Sequence, residues 1–296
     1  MTKAEFVHLH NHSEYSLLDG MLRFADAKGN PSEFLERLAH DHVKGLALTD
    51  HGNLYGAVEF YTRCRKVAIK PVIGCEFYTA KRGHRSREGS QRENHHLTVL
   101  ARNAEGYANL LALASKAFLD GFYYDPRIDK ELLAQQSKGL VVLSGCLKSE
   151  LCQAILAGDG EAATRLAVEY RDMLEPECFY LEMMDHGMEE QKRVIKALLD
   201  IHSRTKIPLV ATNDCHYPKR EDHAAHEAVT CIGMGKLLSD QDRLRWSPEL
   251  YFKSPAEMAK IFHYAPEALS NTLKIVESCN VEIPMGKALL PIFPVP

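Results

Sequence analysis

Residues 7–12 read Val-His-Leu-His-Asn-His, and the run ends in a polar turn that carries Asp19. Alternation puts His8, His10 and His12 on one face of an extended segment. A strand that gives a whole face to imidazole forgoes hydrophobic burial, and a bound metal is the usual compensation. Further ligand-type side chains recur along the chain. His51 follows Thr49-Asp50, Glu76 sits in Gly74-Cys75-Glu76, and His95-His96 opens an apolar run. Cys146 closes Leu143-Ser144-Gly145-Cys146, while Asp214 and His216 stand two apart, as if same-faced on an extended segment. A lone carboxylate inside an apolar strand, such as Glu76, is costly without a partner. Asp50 suits helix capping or support of a ligand as well as ligation, and Cys146 by itself would be a small buried hydrophobe. Together these residues predict a multinuclear metal site.

The elements that would position them alternate. Strands are expected at 6–12, 45–50, 71–79, 96–101, 140–144, 179–184 and 209–212, and helices at 31–42, 55–67, 107–118, 161–174 and 189–204. Apolar runs without clean alternation indicate an α/β fold with a parallel sheet covered on both faces. Seven such strands fit an open doubly wound sheet or a closed barrel. No G-x-G-x-x-G turn supports a dinucleotide fold. A barrel would bring the strand C-termini to one rim, where the ligand-type residues collect. Residues 217–283 read as helical and irregular. The tail from 285 to 296 has three prolines in its last six residues, which forbids a helix and reads as a linker.

The formal net charge of −4 argues against a generally basic, nucleic-acid-coating surface, so such contact needs a local patch or metal ions. The loop with Lys81, Arg82, Arg85, Arg87 and Arg92 is the best candidate for such a patch, with a solvated basic loop as the plainer reading. Tyr15, Tyr55 and Tyr123 are weaker candidates for base stacking. Eight cysteines form no C-x-x-C pair, and no run reaches the roughly 18 apolar residues of a membrane span. With no secretory h-region, a reducing cytoplasm is the expected setting. His40 and His42 suit a helix C-terminus. His223 and His226 are expected at the surface, because HAAHE is not the H-E-x-x-H pattern. His8 is expected to support the ligands, and Asp185 and His186 to line the rim.

His10-Asn11-His12, Thr49-Asp50-His51-Gly52, Gly74-Cys75-Glu76, His96-Leu97-Thr98, Ser144-Gly145-Cys146 and Asn213-Asp214-Cys215-His216 resemble the motifs of the PHP (polymerase and histidinol phosphatase) family. The wording is most similar to the form of that domain at the N-terminus of bacterial replicative DNA polymerases, over essentially the whole chain. The resemblance implies a distorted seven-stranded βα barrel at 1–284, with 285–296 leading toward a polymerase palm region. It also implies nine metal ligands: His10, His12, Asp19, His51, Glu76, His96, Cys146, Asp214 and His216. In the implied trinuclear cluster, one ion takes His10, His12, Glu76 and Asp214. Glu76 bridges to a second held by His96 and Cys146, and Asp19, His51 and His216 take the third. Four negative ligands would leave an excess of about two positive charges, which suits a phosphodiester plus hydroxide. Imidazole and thiolate favour Zn²⁺ or Mn²⁺ over Mg²⁺.

The implied function is metal-dependent phosphodiester hydrolysis, as a 3′→5′ exonuclease acting on a DNA 3′ end. Hydrolysis of small phosphate monoesters or pyrophosphate is the alternative within the same chemistry. A non-catalytic module docking a proofreading or clamp-associated subunit is the alternative outside it.

Overall fold

The computed structural model describes residues 5–89 and 93–286. Seven strands form the sheet: β1 (Gly45–Leu48), β2 (Lys70–Thr79), β3 (His95–Ala101), β4 (Arg127–Ile128), β5 (Leu140–Leu143), β6 (Phe179–Met183) and β7 (Leu209–Ala211). Their order is β1-β2-β3-β5-β6-β7, with β4 pairing β2. Helices α1 (Glu33–His40), α2 (Ala57–Lys66), α3 (Ala104–Leu119), α4 (Lys130–Gln135), α5 (Glu150–Leu156), α6 (Gly160–Met173) and α7 (Glu189–Thr205) connect them. Helices α8 (His223–Met234), α9 (Pro255–Ile261) and α10 (Pro266–Ser278) follow β7.

Starts are set by side-chain caps: Ser32, Asn103, Asp129, Ser149 and Asp159 each accept a backbone N–H from the first turn of their helix, satisfying a donor the helix cannot. Residues such as Leu46, Val72, Val99, Val142, Leu181 and Val210 are fully buried between sheet and helices. The same core cluster runs from Phe6 to Val281, so the C-terminal helices share it with the barrel.

Two expectations need correction. The expected strand at 6–12 is not a regular strand; the seventh strand is the two-residue β4. Segment 7–12 instead closes the barrel by single hydrogen bonds taken alternately from each side. Ala47 N–H donates to His8 O (3.1 Å), Cys215 N–H to His10 O (3.0 Å) and Thr49 N–H to Asn11 O (3.0 Å). The sheet is also mixed rather than parallel, because β3 runs antiparallel to both β2 and β5. That reversal has a use: the first residues of β3, His95 and His96, meet the C-terminal ends of the other strands.

Close approach of β2 and β3 depends on Gly74. A Cβ there would lie 2.5 Å from Leu100 Cδ2 and 2.7 Å from the Val99 carbonyl oxygen, which cannot swing away. Gly74→Ala is expected to destabilise the protein by about 2–3 kcal/mol through overpacking. Gly160→Ala, where the added Cβ meets nothing within 4 Å, serves as the neutral comparison. Urea midpoints of the two variants check this; equal midpoints would refute the packing argument.

Candidate metal centre

Glu76 lies near the C-terminal end of β2 with 1% of its surface exposed, at the centre of a ring of imidazoles. Its carboxylate oxygens stand 3.5 Å from His10 Nε2, 3.5 Å from His12 Nε2, 2.7 Å from His51 Nδ1 and 2.9 Å from His96 Nδ1. Cys146 Sγ is 3.6 Å away. On the far side Asp214 Oδ1 approaches His10 Nε2 (3.4 Å), His12 Nε2 (3.1 Å) and His216 Nδ1 (3.6 Å). Asp19 Oδ2 meets His51 Nε2 at 3.0 Å and His216 Nε2 at 3.5 Å. All nine expected ligand residues therefore meet at one rim.

Asp214 reaches its place by a route the spacing did not show. Its φ of 49° is left-handed, so 214–216 is not extended, and the turn aims both side chains inward. Aspartate tolerates that conformation better than most residues.

Supporting hydrogen bonds orient the two N-terminal imidazoles. His10 Nδ1–H donates to Glu182 Oε1 (2.8 Å). Ser16 Oγ gives its proton to Asp50 (2.7 Å) and so accepts from His12 Nδ1–H at 2.9 Å. When neutral, both rings present a bare Nε2 to the cluster. Asp50 also accepts from the N–H and hydroxyl of Ser13 (both 2.7 Å), so it anchors the 13–20 turn rather than the cluster. His8 contacts the Lys253 carbonyl (2.7 Å) and Cys215 Sγ (3.2 Å) at the barrel seam.

These residues fit a set of divalent ions. His10 Nε2, His12 Nε2 and Asp214 Oδ1 are buried without a hydrogen-bond partner, a costly state unless something binds there. A tetrahedral ion with ligand bonds of about 2.1 Å separates its ligand atoms by about 3.4 Å. The contacts of His10 and His12 to Glu76 and Asp214, at 3.1–3.5 Å, match that spacing. Charge-assisted hydrogen bonds are shorter, about 2.7–2.9 Å, as at His10–Glu182.

Electrostatics agree. Burial would raise the Glu76 carboxyl, but His96, His51 and His10 hold it well below the carboxylate range. Burial is likewise outweighed at Asp214, by His10 and His216, so both remain anionic. Burial, joined by His51 and His216, pushes His12 down to about 3 and keeps it neutral. Burial and the nearby Glu76 and Asp214 raise the Cys146 thiol, so it becomes a thiolate only with a cation beside it.

A cavity of about 300 Å³ opens over the cluster. Asp19, His51, Glu76, His96, Asp214 and His216 form its floor, and Lys148, Arg245, Trp246 and His186 stand on its walls. Of the residues expected to hold a substrate strand, only His186 lines it, tied to the Asn213 carbonyl at 3.0 Å. Lys81, Arg82, Arg85 and Arg87 do not: Arg82 pairs with Glu88 and Glu93, and Arg85 with Asp120, on a separate loop. Arg92 lies outside the described residues, as do 287–296 of the expected linker. Tyr15, Tyr55 and Tyr123 are also absent from the cavity lining.

Three features escaped the sequence reading. Glu182 on β6 was not singled out, although it is a lone carboxylate in an apolar strand just as Glu76 is. It accepts from His10, from the Thr98 and Thr212 hydroxyls (3.3 and 2.7 Å) and from Gly145 N–H (2.9 Å), linking five segments behind the cluster. Glu182→Gln is expected to weaken metal affinity about 10–100-fold by freeing the His10 ring, measured by competition with a chromogenic chelator. The second is His226, expected at the surface but fully buried, with Nε2 3.3 Å from Asp19 Oδ1. The third is the trio Lys148, Arg245 and Trp246, the last being the one tryptophan in the chain.

A rim crowded with imidazole, carboxylate and thiol groups that could hold metal ions marks this α/β domain, and comparison gives it a family. Residues 8–186 match the family model described as PHP domain. The chain belongs to the PHP domain family. It is 42% identical over 305 residues to the DNA polymerase III subunit alpha of Treponema pallidum, covering 100% of this chain and 25% of that protein. The Helicobacter pylori protein of the same name is 42% identical over 291 residues, covering 94% of this chain and 23% of that one. The chain thus spans about a quarter of the length of these curated relatives. Among solved structures, a two-domain protein from Bacteroides vulgatus containing a predicted PHP-like metal-dependent phosphoesterase superposes with a TM-score of 0.41. The two share 13% identity over 93% of this chain and 69% of that one. Asp214, His216 and His226 lie beyond the matched 8–186 segment.

Proposed function

We propose that this chain is the metal-dependent phosphoesterase module of a bacterial replicative DNA polymerase alpha subunit, and that it hydrolyses phosphodiesters as a 3′→5′ exonuclease. The observation that carries the reading is the convergence of unpartnered, buried imidazole and carboxylate atoms beneath a cavity edged by two cations and an indole. His10, His12, Glu76 and Asp214 would hold one divalent ion, His96 and Cys146 with Glu76 a second, and Asp19, His51 and His216 a third. Zn²⁺ or Mn²⁺ suits this donor set better than Mg²⁺. When bound, such ions supply charge neutralisation and Lewis acidity for attack of water on phosphorus.

The chain's own residues do the rest. Lys148 and Arg245 attract and seat the phosphate, and Trp246 offers a flat face to a base or sugar. Leu147, Met184, Met188 and Leu250 give the walls an apolar surface that limits water. At about 300 Å³ the cavity is at the small end for ligand sites, which suits one terminal nucleotide and not a duplex. The DNA 3′ end is then the substrate. The polymerase palm region of the longer protein and a proofreading or clamp-associated subunit are the partners, in the cytoplasm. Among the described residues no helix is long and apolar enough to cross a membrane.

The deciding experiment compares a 3′-labelled oligonucleotide, a 5′-labelled one, a small phosphate monoester and pyrophosphate, with Mn²⁺ or Zn²⁺ added. Stepwise shortening from the 3′ end is expected. Turnover of the small phosphates alone would replace the nuclease reading, and no turnover by the metal-loaded protein would favour a docking module.

A further inference from the structure

We propose that His226, on helix α8, is a further ligand of the divalent ion gathered by Asp19 and His216. The inference rests on the metal reading above and adds to its ligand set a residue from outside the segment that matches the family model. His226 is 0% exposed. Its Nε2 stands 3.3 Å from Asp19 Oδ1, while His216 Nε2 stands 3.5 Å from Asp19 Oδ2. The ligand atoms of Asp19, His216 and His226 all lie within 4.8 Å of one another.

Two physical points separate ligation from a mere hydrogen bond. A buried imidazolium–carboxylate bond contracts to about 2.7–2.9 Å, whereas the 3.3 Å from His226 Nε2 to Asp19 Oδ1 is close to the edge of about 3.4 Å around a tetrahedral ion. In addition, Asp19 turns one oxygen toward His226 and the other toward His51 and His216, so its charge faces imidazoles on both sides. The neighbouring histidine in the HAAHE stretch behaves differently: His223 Nδ1 faces the Tyr217 hydroxyl at 3.3 Å, away from the cluster.

The placement of α8 is built in. A Cβ on Gly233 would lie 3.1 Å from Leu18 Cβ, so the helix packs closely on the turn that presents Asp19. Ligation by His226 would pin that helix to the barrel through the metal. Protein side chains would then fill the coordination shell of this ion more completely than a site that keeps a position open for chemistry.

The test uses the whole chain, stripped by chelation and reloaded with Zn²⁺ or Co²⁺. For His226→Ala, the weakest bound equivalent is expected to be lost, or its affinity to fall at least about 100-fold, exceeding what loss of a supporting hydrogen bond does. His226→Gln, which keeps polarity and most of the volume, is expected to behave likewise. Hydrogen exchange in α8 of the wild-type chain should slow on metal addition, and this protection should vanish in both variants. The Co²⁺-loaded wild type should show a hyperfine-shifted His226 imidazole resonance, a readout that needs no variant to fold. Unchanged stoichiometry and affinity in both variants, with no shifted His226 signal, would overturn the assignment and leave the remaining metal sites standing. A wild-type chain that takes up no metal would overturn both.

Discussion

Stripping divalent metal from the protein at pH 8.5 is expected to lower its melting temperature by about 8 °C or more, and the loss should shrink at pH 6. A ligand that binds only the folded state stabilises it by about 4 kcal/mol at a thousand times its dissociation constant. For a chain of this size each kcal/mol moves the melting temperature by about 2 °C, so even one tightly filled site gives the stated shift. The pH dependence follows from what holds the cluster together without metal. Burial opposes the charging of His51, yet Glu76 and Asp19 beside it push its pKa up to about 10, and Asp19 and Asp214 raise His216 to about 8. Both folded values exceed the unfolded value of about 6.5. Their stabilising contribution is therefore complete below pH 6.5 and is lost as pH rises through 8 toward 10. Coordination needs the same rings neutral, so metal binding strengthens over the interval in which the stripped protein weakens. Melting scans with and without chelator between pH 6 and 9 check this. Equal curves at pH 8.5 would show that the cluster binds no stabilising ion.

The parts of this centre that could be read in the sequence are those whose residue type conflicts with its surroundings. Histidines in a strand-like run and a glutamate in Gly-Cys-Glu-Phe demand an explanation wherever the chain goes, and the structure gathers them. Glu182 sends the same signal within Phe-Tyr-Leu-Glu-Met, and applying to it the argument used for Glu76 would have found it. His226 sends no such signal, because a helical histidine among alanines looks the same on either face; only the packing of α8 on the 13–20 turn shows which. The closure of the barrel was hidden for a related reason. Segment 7–12 has the composition of a strand but shares its hydrogen bonds between β1 and the 213–216 turn, so neither side forms a continuous ladder. The reversal of β3 was equally invisible, since a fully buried apolar strand reads the same in both directions. Charge density drew attention to Lys81, Arg82, Arg85 and Arg87, which stand apart from the cavity over the cluster. Lys148 and Arg245 are single cations placed by the turn after β5 and the loop after α8.

Glu76→Gln is expected to cost the proposed hydrolysis about 10³-fold or more, equal to about 4 kcal/mol of transition-state stabilisation. The substitution keeps the shape and removes one negative charge and one acceptor. No other carboxylate in the cluster faces so many donors: four imidazoles and a thiol lie within 3.6 Å of it, drawn from segment 7–12, β3 and the turns after β1 and β5. An amide there turns its N–H₂ toward at least one of them, so a divalent ion held among these donors would lose a ligand and part of its charge balance. Removing one partner from a buried ionic cluster typically destabilises by about 3–5 kcal/mol. The variant should therefore also melt lower in the metal-free state, where His51 and His96 lean on this carboxylate directly. Lys148→Ala provides the contrast. It removes a cation from the cavity wall without touching Glu76, so substrate KM is expected to rise while metal content and melting temperature stay put. Metal analysis, melting and oligonucleotide turnover on the two variants separate the roles. A Glu76→Gln protein that keeps its full metal complement and its rate would mean that the convergence of side chains on Glu76 is not where the chemistry occurs.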